Sequence, residues 1–301
     1  MRKGIFLILL FFTIETANAQ FKWEVGFLAG ASNYQGELSG KNKPRGDFVS
    51  DINLRQTRWD VGGFVRHKIS SSYSIRATFH YLRITGADSL STYPNYYYRN
   101  LHFRNNIAEF STQLEYNFFR HNDNYFKKKK VNWSVYRFLG FGIYYHNPEA
   151  KSPIDGKWYA LQPLGTEGQG RIDGTKKYNR LQFCVPVGLG VNFTLSKIFR
   201  FGFEFSYRFT FTDYLDDVSA TYPDPSIFDN DPFAANFSNP SKSGAPQNLY
   251  INGSPRGEPK NKDNYMTTQI TVSYVLRSHT KYYQRKQKKR ERHKRTIRTK
   301  F

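Results

Sequence analysis

Cysteine is almost absent from this 301-residue sequence, which holds only Cys184. A single thiol cannot close an intramolecular disulfide, so packing and hydrogen bonding must hold the fold together. Long apolar runs are also missing, and the mean hydropathy is −0.68. Beyond the N-terminus no stretch approaches the roughly 18 consecutive apolar residues that a membrane-spanning helix needs. A helical membrane bundle is therefore excluded.

The N-terminus has the pattern of a secretory signal peptide. Arg2 and Lys3 precede an apolar run over residues 5–12, and the small-residue sequence 17–19 stands directly before Gln20. This order of basic, apolar and small residues is typical of a cleaved export signal. We expect residues 1–19 to be removed, and because no cysteine follows the cleavage site, the protein is not a lipoprotein.

Strict alternation of aromatic and polar residues marks the stretch 199–211. Its odd positions are Phe199, Phe201, Phe203, Phe205, Tyr207, Phe209 and Phe211, and its even positions are small or polar. Successive side chains of a strand point to opposite faces, so one face is a wall of rings. The same alternation predicts strands over residues 21–30, 59–68, 73–84, 103–119, 133–145, 182–193, 199–211 and 263–276.

The connections between these predicted strands alternate between long and short. That asymmetry, with aromatic faces on every strand, is typical of an outer-membrane barrel with long outer loops and short periplasmic turns. The predicted fold is therefore an all-β, eight-stranded antiparallel transmembrane barrel over residues 20–276, with both termini in the periplasm. Seven charged residues alternate onto the inner face: Arg66, Arg76, Glu109, Glu115, Arg200, Glu204 and Arg208. We interpret them as lumen packing, with a proton or ion path as the alternative.

Positive charge is concentrated after the last predicted strand. The formal net charge is +21, and residues 277–301 carry twelve Lys or Arg against Glu291. This periplasmic tail is expected to be flexible, and export makes nucleic acid an unexpected partner. Two interpretations stay open: a solvated extension, or an arm that docks to an acidic protein or to anionic lipid. The candidate periplasmic contacts are Lys127, Lys128, Lys129, Lys130, Arg285, Lys286, Lys288, Lys289 and Arg290.

No residue pattern predicts catalysis, a cofactor or a metal. The carboxylates of 213–217 are potential Ca²⁺ ligands, but they lack the spacing of a calcium loop, and a polar rim with a helical turn is expected instead. The glycine-rich stretch 164–170 has no Lys-Ser/Thr end and opens no helix, which argues against a phosphate loop. His80, His102 and His146 lack a Ser or Asp at a suggestive spacing. We expect a protein that is not an enzyme and takes no small-molecule substrate.

Four segments carry a resemblance to a known family: 30–37 (GASNYQGE), 100–104 (NLHFR), 158–170 (WYALQPLGTEGQG) and 210–219 (TFTDYLDDVS). Together they resemble the PorG-like outer-membrane proteins of Bacteroidetes. The resemblance implies a small barrel that is an accessory of the type IX secretion system, associated with the periplasmic ring of PorK and PorN. That machinery exports proteins with C-terminal signals and, in gliding relatives, surface adhesins.

The last two segments are the most specific, and no catalytic residue is carried over from the family. The candidate motif positions are Leu164, Gly165, Thr166, Glu167, Gly168, Gln169, Gly170, Thr212, Asp213, Tyr214, Leu215, Asp216 and Asp217. The resemblance implies ring proteins as partners, beside outer-membrane lipid. Two alternatives stay open: an adhesin or scaffold that acts through its long loops, and a lipid A-modifying enzyme.

Overall fold

The computed structural model describes residues 23–39, 53–91, 93–121, 132–194, 198–246 and 249–276. The expected signal peptide, the basic tail and the run Lys127–Lys130 lie outside these residues. All of the candidate periplasmic contacts therefore lie outside the described part of the chain.

The described residues form nine strands, and eight of them match the predicted ones. The strands are β1 (Trp23–Gln35), β2 (Arg58–Lys68), β3 (Tyr73–Ala87), β4 (His102–His121), β5 (Asn132–Lys151), β6 (Trp158–Ala160), β7 (Leu181–Thr194), β8 (Phe199–Thr210) and β9 (Asn264–Leu276). The first strand ends five residues later than predicted, and β5 ends six residues later. The loop-end extensions carry less regular alternation, which is why sequence pattern alone does not find them.

The sheet closes on itself through antiparallel pairs of sequence neighbours. Each strand from β1 to β5 pairs with the next, β5 pairs with β7, and β7, β8 and β9 continue to β1. The short β6 lies outside this circuit, paired only to the end of β5. A closed sheet has no unpaired edge in the barrel wall. The prediction of an eight-stranded antiparallel barrel is confirmed.

Within the described part of the chain, helices occur only in the long connections, which all leave the same end of the barrel. They are α1 (Pro94–Arg99), α2 (Leu161–Leu164) and α3 (Pro232–Ser238), with 3₁₀ turns at Leu54–Gln56, Asp88–Leu90 and Pro225–Phe228. Among the described residues no helix is long and apolar enough to cross a membrane.

The outer wall of the barrel is apolar and exposed. Phe27 is 80% exposed, Phe203 51% and Ile270 59%, and each lies on a different strand. Aromatic side chains on neighbouring strands pack along this wall, such as Phe141 and Phe183, whose ring centroids are 5.4 Å apart. Tyr207 differs from the expectation for its strand: the register places it on the outer face, yet it is only 4% exposed.

The lumen half nearer the short connections holds one ion-pair network. Arg76 donates from Nη1 to Glu204 Oε2 at 2.6 Å, and its Nε lies 3.2 Å from Glu115 Oε1. Arg66 donates to Glu24 Oε1 at 2.6 Å and to Glu115 Oε1 at 3.0 Å. All five side chains are nearly inaccessible to solvent. Ionised groups buried this deeply require such pairing, because each would otherwise carry its full desolvation cost.

A second polar network fills the lumen nearer the long connections. Arg208 donates from Nε to Glu109 Oε2 at 3.1 Å and from Nη2 to His80 Nε2 at 3.0 Å. Since His80 Nε2 accepts a hydrogen bond, its Nδ1 carries the proton and donates to Asp60 Oδ1 at 3.0 Å. The predicted inward positions are confirmed: six of the seven are buried, and Arg200 is partly exposed at the barrel end.

Large rings occupy the lumen beside glycines, a feature that the sequence reading missed. Tyr136 donates to Glu204 Oε2 at 2.6 Å, and a Cβ at Gly190 would lie 2.4 Å from the Tyr136 hydroxyl. A Cβ at Gly188 would likewise meet the Phe138 ring at 2.4 Å. The glycines therefore make room for rings from the neighbouring strand. The signal that could have found them is the alternation in β5, which puts Tyr136 and Phe138 on the inward face of the strand.

An apolar cluster closes the lumen at the long-connection end. Its members come from strands and loops alike and are all buried: Tyr34, Leu38, Leu82, Ile84, Leu101, Phe103, Ile107, Tyr144, Cys184, Leu215, Val218 and Tyr265. Cys184 belongs to this packing, as expected for a small filler residue. The barrel thus has a polar interior that the apolar cluster closes at one end.

Removing the central arginine should destabilise the barrel strongly. In Arg76→Ala, the Glu204 and Glu115 carboxylates lose a buried partner, so we expect a loss of about 3–5 kcal/mol in the free energy of unfolding. Guanidinium unfolding of the refolded protein in detergent measures it. Arg55→Ala, which truncates an exposed loop arginine, is the control and should change stability by about 0.5 kcal/mol or less. The double change Arg76→Met with Glu204→Gln should recover part of the loss. Equal stability of Arg76→Ala and wild type would contradict the pairing.

Candidate functional site

The four segments that carry the family resemblance meet at the long-connection end of the barrel, in or next to one structure that covers this end, the loop cap. We define the loop cap as residues 34–39, 88–104, 158–180 and 211–263 within the described part of the chain. Asn105 Nδ2 donates to the Leu215 carbonyl at 2.7 Å, and the Tyr34 ring packs edge-on against Phe103. Residues far apart in the sequence thus share one site.

The two most specific segments are joined through paired side-chain contacts. The Glu167 carboxylate accepts hydrogen bonds from the backbone amides of Ser219 at 2.8 Å and Ala220 at 3.1 Å. Thr166 donates its hydroxyl to Asp217 Oδ2, and Tyr178 donates to Asp217 Oδ1 at 2.7 Å. The loop after β5 and the loop after β8 are therefore held in one arrangement.

Two buried arginines hold the cap together from within. Arg256 donates from Nη1 to Glu167 Oε1 at 2.9 Å and to the Asp217 carbonyl at 2.5 Å. Arg99 forms a two-pronged pair with Asp88, both distances 2.8 Å, and donates to the Arg256 carbonyl at 2.8 Å. Bidentate pairs of this kind fix orientation as well as charge. The sequence analysis missed Arg256 and Arg99, because an isolated arginine in a polar loop gives no sign of its partner.

The run 213–217 has no helical turn, so that expectation is wrong. It runs as a series of bends, and Asp217 has a left-handed φ of 66°. Asp216 Oδ1 accepts from the Val218 amide at 2.9 Å, a local bond that competes with helix formation. Thr212 Oγ1 likewise accepts a hydrogen bond from the Tyr214 amide at 3.2 Å.

The glycine-rich run uses its backbone amides internally. Gly165, Gly168 and Gly170 all have positive φ, a conformation that favours glycine. The amide of Gly168 donates to the Gly165 carbonyl at 2.9 Å, and that of Gly170 donates to Thr175 Oγ1 at 3.0 Å. Gln169 Oε1 accepts from the Glu167 amide at 2.9 Å. The run forms tight turns that position Glu167, and Leu164 precedes it as the last residue of α2.

Four carboxyl groups gather where the cap meets the barrel wall. The Tyr34 hydroxyl lies 2.7 Å from Asp216 Oδ2 and 2.6 Å from Asp263 Oδ1. Carboxylate oxygens of Glu37, Asp213 and Asp263 lie within 4.8 Å of one another. A tyrosine hydroxyl has one proton to donate, so two such short contacts require that one of the two carboxyls itself carries a proton. The cluster therefore retains protons.

Burial explains why protons stay on these groups. It raises the pKa of Asp216 and of Asp263 well above the usual range, and neighbouring carboxylates add to the shift. Burial beside Asp213 raises the pKa of Glu37 to about 7. Burial also raises the pKa of Asp217 to about 7, against the lowering effect of Arg256. Oxygen ligands at this spacing are also the kind that a divalent cation prefers.

Two open cavities lie in the cap on either side of Arg256. One, of about 590 Å³, is lined by His102, Leu161, Asn236 and Phe237 among others. The other, of about 650 Å³, is lined by Glu37, Tyr96 and Glu258 among others. Both combine apolar walls with a few polar groups.

The three histidines singled out in the sequence are all engaged inside the fold. His80 is buried in the lumen between Asp60 and Arg208. His146 Nε2 lies 3.3 Å from the Asn179 carbonyl, and His102 Nε2 accepts from the Lys151 amide at 3.0 Å. The hydrogen bonds of the three rings therefore lie within the fold, and none of these bonds involves a serine hydroxyl.

Comparison with protein families identifies one match. The family model of a domain of unknown function, DUF6089, matches residues 2–240. Because that match covers well over half of the chain, the protein belongs to this family. No curated protein matches the sequence.

Solved barrels of low sequence identity are similar in outline. OprG of Pseudomonas aeruginosa, an outer membrane protein, shows 8% identity over 86% of this chain and 97% of its own, with a TM-score of 0.35. The attachment invasion locus protein Ail of Yersinia pestis, solved with the heparin analogue sucrose octasulfate, shows 10% identity over 85% and 99%, with a TM-score of 0.33. The N-terminal β-barrel domain of Pseudomonas aeruginosa OprF shows 8% identity over 85% and 100%, with a TM-score of 0.33. The strand pairing described above establishes the fold independently of these likenesses.

The loop cap should become less stable as pH rises from about 4 to about 7. Unfolded carboxyls lose their protons near pH 4, whereas Asp217 and Glu37 keep theirs to about pH 7 in the fold. The unfolded state therefore binds fewer protons in this window, and stability falls by up to about 1.4 kcal/mol per pH unit and group. Above about pH 7 the contribution of Asp217 and Glu37 to this dependence should flatten.

Hydrogen exchange of residues 212–220, corrected for the intrinsic pH dependence of exchange, measures this change. Asp217→Asn and Glu37→Gln should each reduce the slope, and Asp229→Asn, at an exposed loop position, should leave it unchanged. Protection that rises from pH 5 to pH 7 would refute proton retention in the cap.

Proposed function

We propose that this DUF6089 family member is an outer-membrane barrel that serves the type IX secretion system as a non-enzymatic component and contacts a periplasmic ring of the PorK/PorN type. The proposal has three parts: the membrane location, the absence of a pore or enzyme role, and the secretion partner. Each rests on a different observation.

The exposed apolar wall carries the membrane location. Large hydrophobic side chains are exposed all round the barrel, among them Val65, Phe79, Phe110, Leu139, Phe183, Phe203 and Ile270. Soluble monomers rarely expose a continuous apolar patch of this extent, whereas a lipid-facing barrel requires one. By the rule for such barrels, the short connections face the periplasm and the loop cap faces outward. Export by the expected signal peptide fits this location.

The filled lumen supports an anchor rather than a pore. Arg76, Glu204 and Arg208 are at most 1% exposed at mid-barrel, and the apolar cluster closes the end beneath the cap. A lipid A-modifying enzyme would need its acid–base residues at the lipid-facing rim. His80 is instead fully buried between a carboxylate and an arginine, which disfavours that alternative.

The secretion assignment follows from the resemblance to PorG-like proteins. Its two most specific segments are joined through Glu167, Asp217 and Arg256, and its other two segments are in contact through Tyr34 and Phe103. In this proposal the cap braces the outer end of the barrel while the periplasmic end contacts the ring. In gliding relatives the same machinery serves gliding motility.

An adhesin or scaffold that acts through its loops is the second candidate. The two cap cavities of about 590 and 650 Å³ favour it, because they give the outward face a shaped surface. The two functions place the working surface at opposite ends of the barrel, and this difference separates them experimentally.

Deletion of the gene should abolish secretion of proteins with C-terminal signals, and the full-length gene should restore it. An epitope inserted at Gly244 in the outer cap, an open position, should leave secretion and co-purification of the ring lipoprotein intact. The same epitope after Ser71, in the exposed turn between β2 and β3, should reduce both. Surface levels of each variant are matched by immunoblot.

Normal secretion in the deletion strain would overturn the proposal. Loss of function from the Gly244 insertion alone would favour the adhesin or scaffold.

A further inference from the structure

A small basic cavity opens at the short-connection end of the barrel. Its volume is about 200 Å³, and it is lined by the last or first residues of most strands. Four cationic side chains, Arg66, Lys68, Arg120 and Arg200, face only two carboxylates, Glu24 and Glu115. This opening is remote from the loop cap.

The two carboxylates are already taken up by the lumen network. Glu24 Oε1 accepts from Arg66 at 2.6 Å and from Ser273 Oγ at 2.6 Å, and Glu24 Oε2 accepts from Arg200 at 2.5 Å. Glu115 Oε2 lies 2.7 Å from Arg66 Nε, and Oε1 lies 3.2 Å from Arg76 Nε. Each of these carboxylates already contacts two arginines, so neither one neutralises a further cation.

Lys68 and Arg120 form no ion pair with the residues that the structure describes. Within the part of the chain that the structure describes, no carboxylate lies within 4.0 Å of either side chain. Arg200 donates from Nη1 to Glu24 Oε2, while its buried Nε has no hydrogen-bond partner. We call these three residues the basic mouth. Like charges crowded at one opening repel one another, and a bound anion relieves that repulsion.

The position of the basic mouth determines which kinds of anion can reach it. It lies on the barrel axis, inside the ring of strand ends, whereas lipid head groups surround the outer wall. The chain's own tail is strongly basic, with twelve Lys or Arg against Glu291, so it does not supply the missing negative charge. An anion in the solution that bathes this end has direct access to the basic mouth.

We propose that the basic mouth binds the carboxylates of an acidic protein segment, with Arg120 and Arg200 as arginine donors and Lys68 as a flexible third contact. The guanidinium fork suits a carboxylate, and asparagine amides at positions 117, 132 and 192 line the same cavity and add polar contacts. That this segment belongs to a periplasmic partner rests on the proposed function; the binding site itself does not.

Zero-length carbodiimide cross-linking tests the site directly, because it joins a lysine amine to a carboxylate only in contact. Full-length protein in zwitterionic detergent is titrated with a decaglutamate peptide, and adducts are mapped by mass spectrometry. The yield at Lys68 is normalised to that at Lys157, an exposed lysine in the loop after β5, which separates the basic mouth from general lysine reactivity.

We expect a saturable Lys68 adduct whose apparent affinity falls at least tenfold in Arg120→Gln and is retained in Arg120→Lys. Arg120 is exposed at the strand end, so both variants should fold, which heat-resistant gel migration verifies. Arg137→Gln, which removes an exposed arginine of the outer wall, is the matched control and should change the affinity by less than twofold.

An Arg120→Gln adduct equal to wild type would overturn the proposal. Displacement of the peptide from Lys68 by inorganic phosphate beyond the effect of chloride at equal ionic strength would also overturn it, in favour of a phosphate site. Because purified protein is used, failure here is distinguishable from failure of the secretion role, which is measured in cells.

Discussion

The pairing of buried charges inside the barrel is the interaction on which the rest of the structure depends. A closed sheet with an apolar outer wall sends every second side chain into a lumen that water barely reaches. The arginines there must find carboxylates, as Arg76 does with Glu204 and Arg208 does with Glu109. Breaking such a pair leaves an uncompensated charge, which costs far more than the pair contributes when intact.

The two ends of the barrel differ in how their charged side chains are paired. At the long-connection end, an apolar cluster closes the lumen, and in the loop cap above it Arg256 pairs with Glu167 while a carboxyl cluster keeps protons. At the opposite end, Lys68 and Arg120 form no ion pair with any carboxylate of the described residues. The cap end therefore holds buried ion pairs and protonated carboxyls, whereas the other end carries the positive charge that our proposal assigns to a partner. The proposed roles of the two ends follow from this difference.

Period-two alternation made the strands, the closure and the inward charges predictable, because a strand determines which way each side chain points. It could not pair residues across loops. Glu167 and Arg256 are 89 positions apart, and no local pattern relates them. The run 213–217 was expected to form a helical turn, but Asp216 bonds its neighbouring backbone instead. The hydrogen bonds and ion pairs of the loop cap join residues that are far apart in the sequence, so a local sequence pattern does not predict them.

The central claim is that the apolar wall faces lipid around the whole circumference. Spin-label accessibility tests it, with single changes Val65→Cys, Phe110→Cys and Phe203→Cys on three strands, each in a Cys184→Ala background, in lipid vesicles. The account predicts that oxygen, which partitions into lipid, relaxes all three labels more than a water-soluble nickel complex does, with the reverse at Gly244→Cys in the loop cap. Greater access of the nickel complex at any of the three wall positions would contradict it.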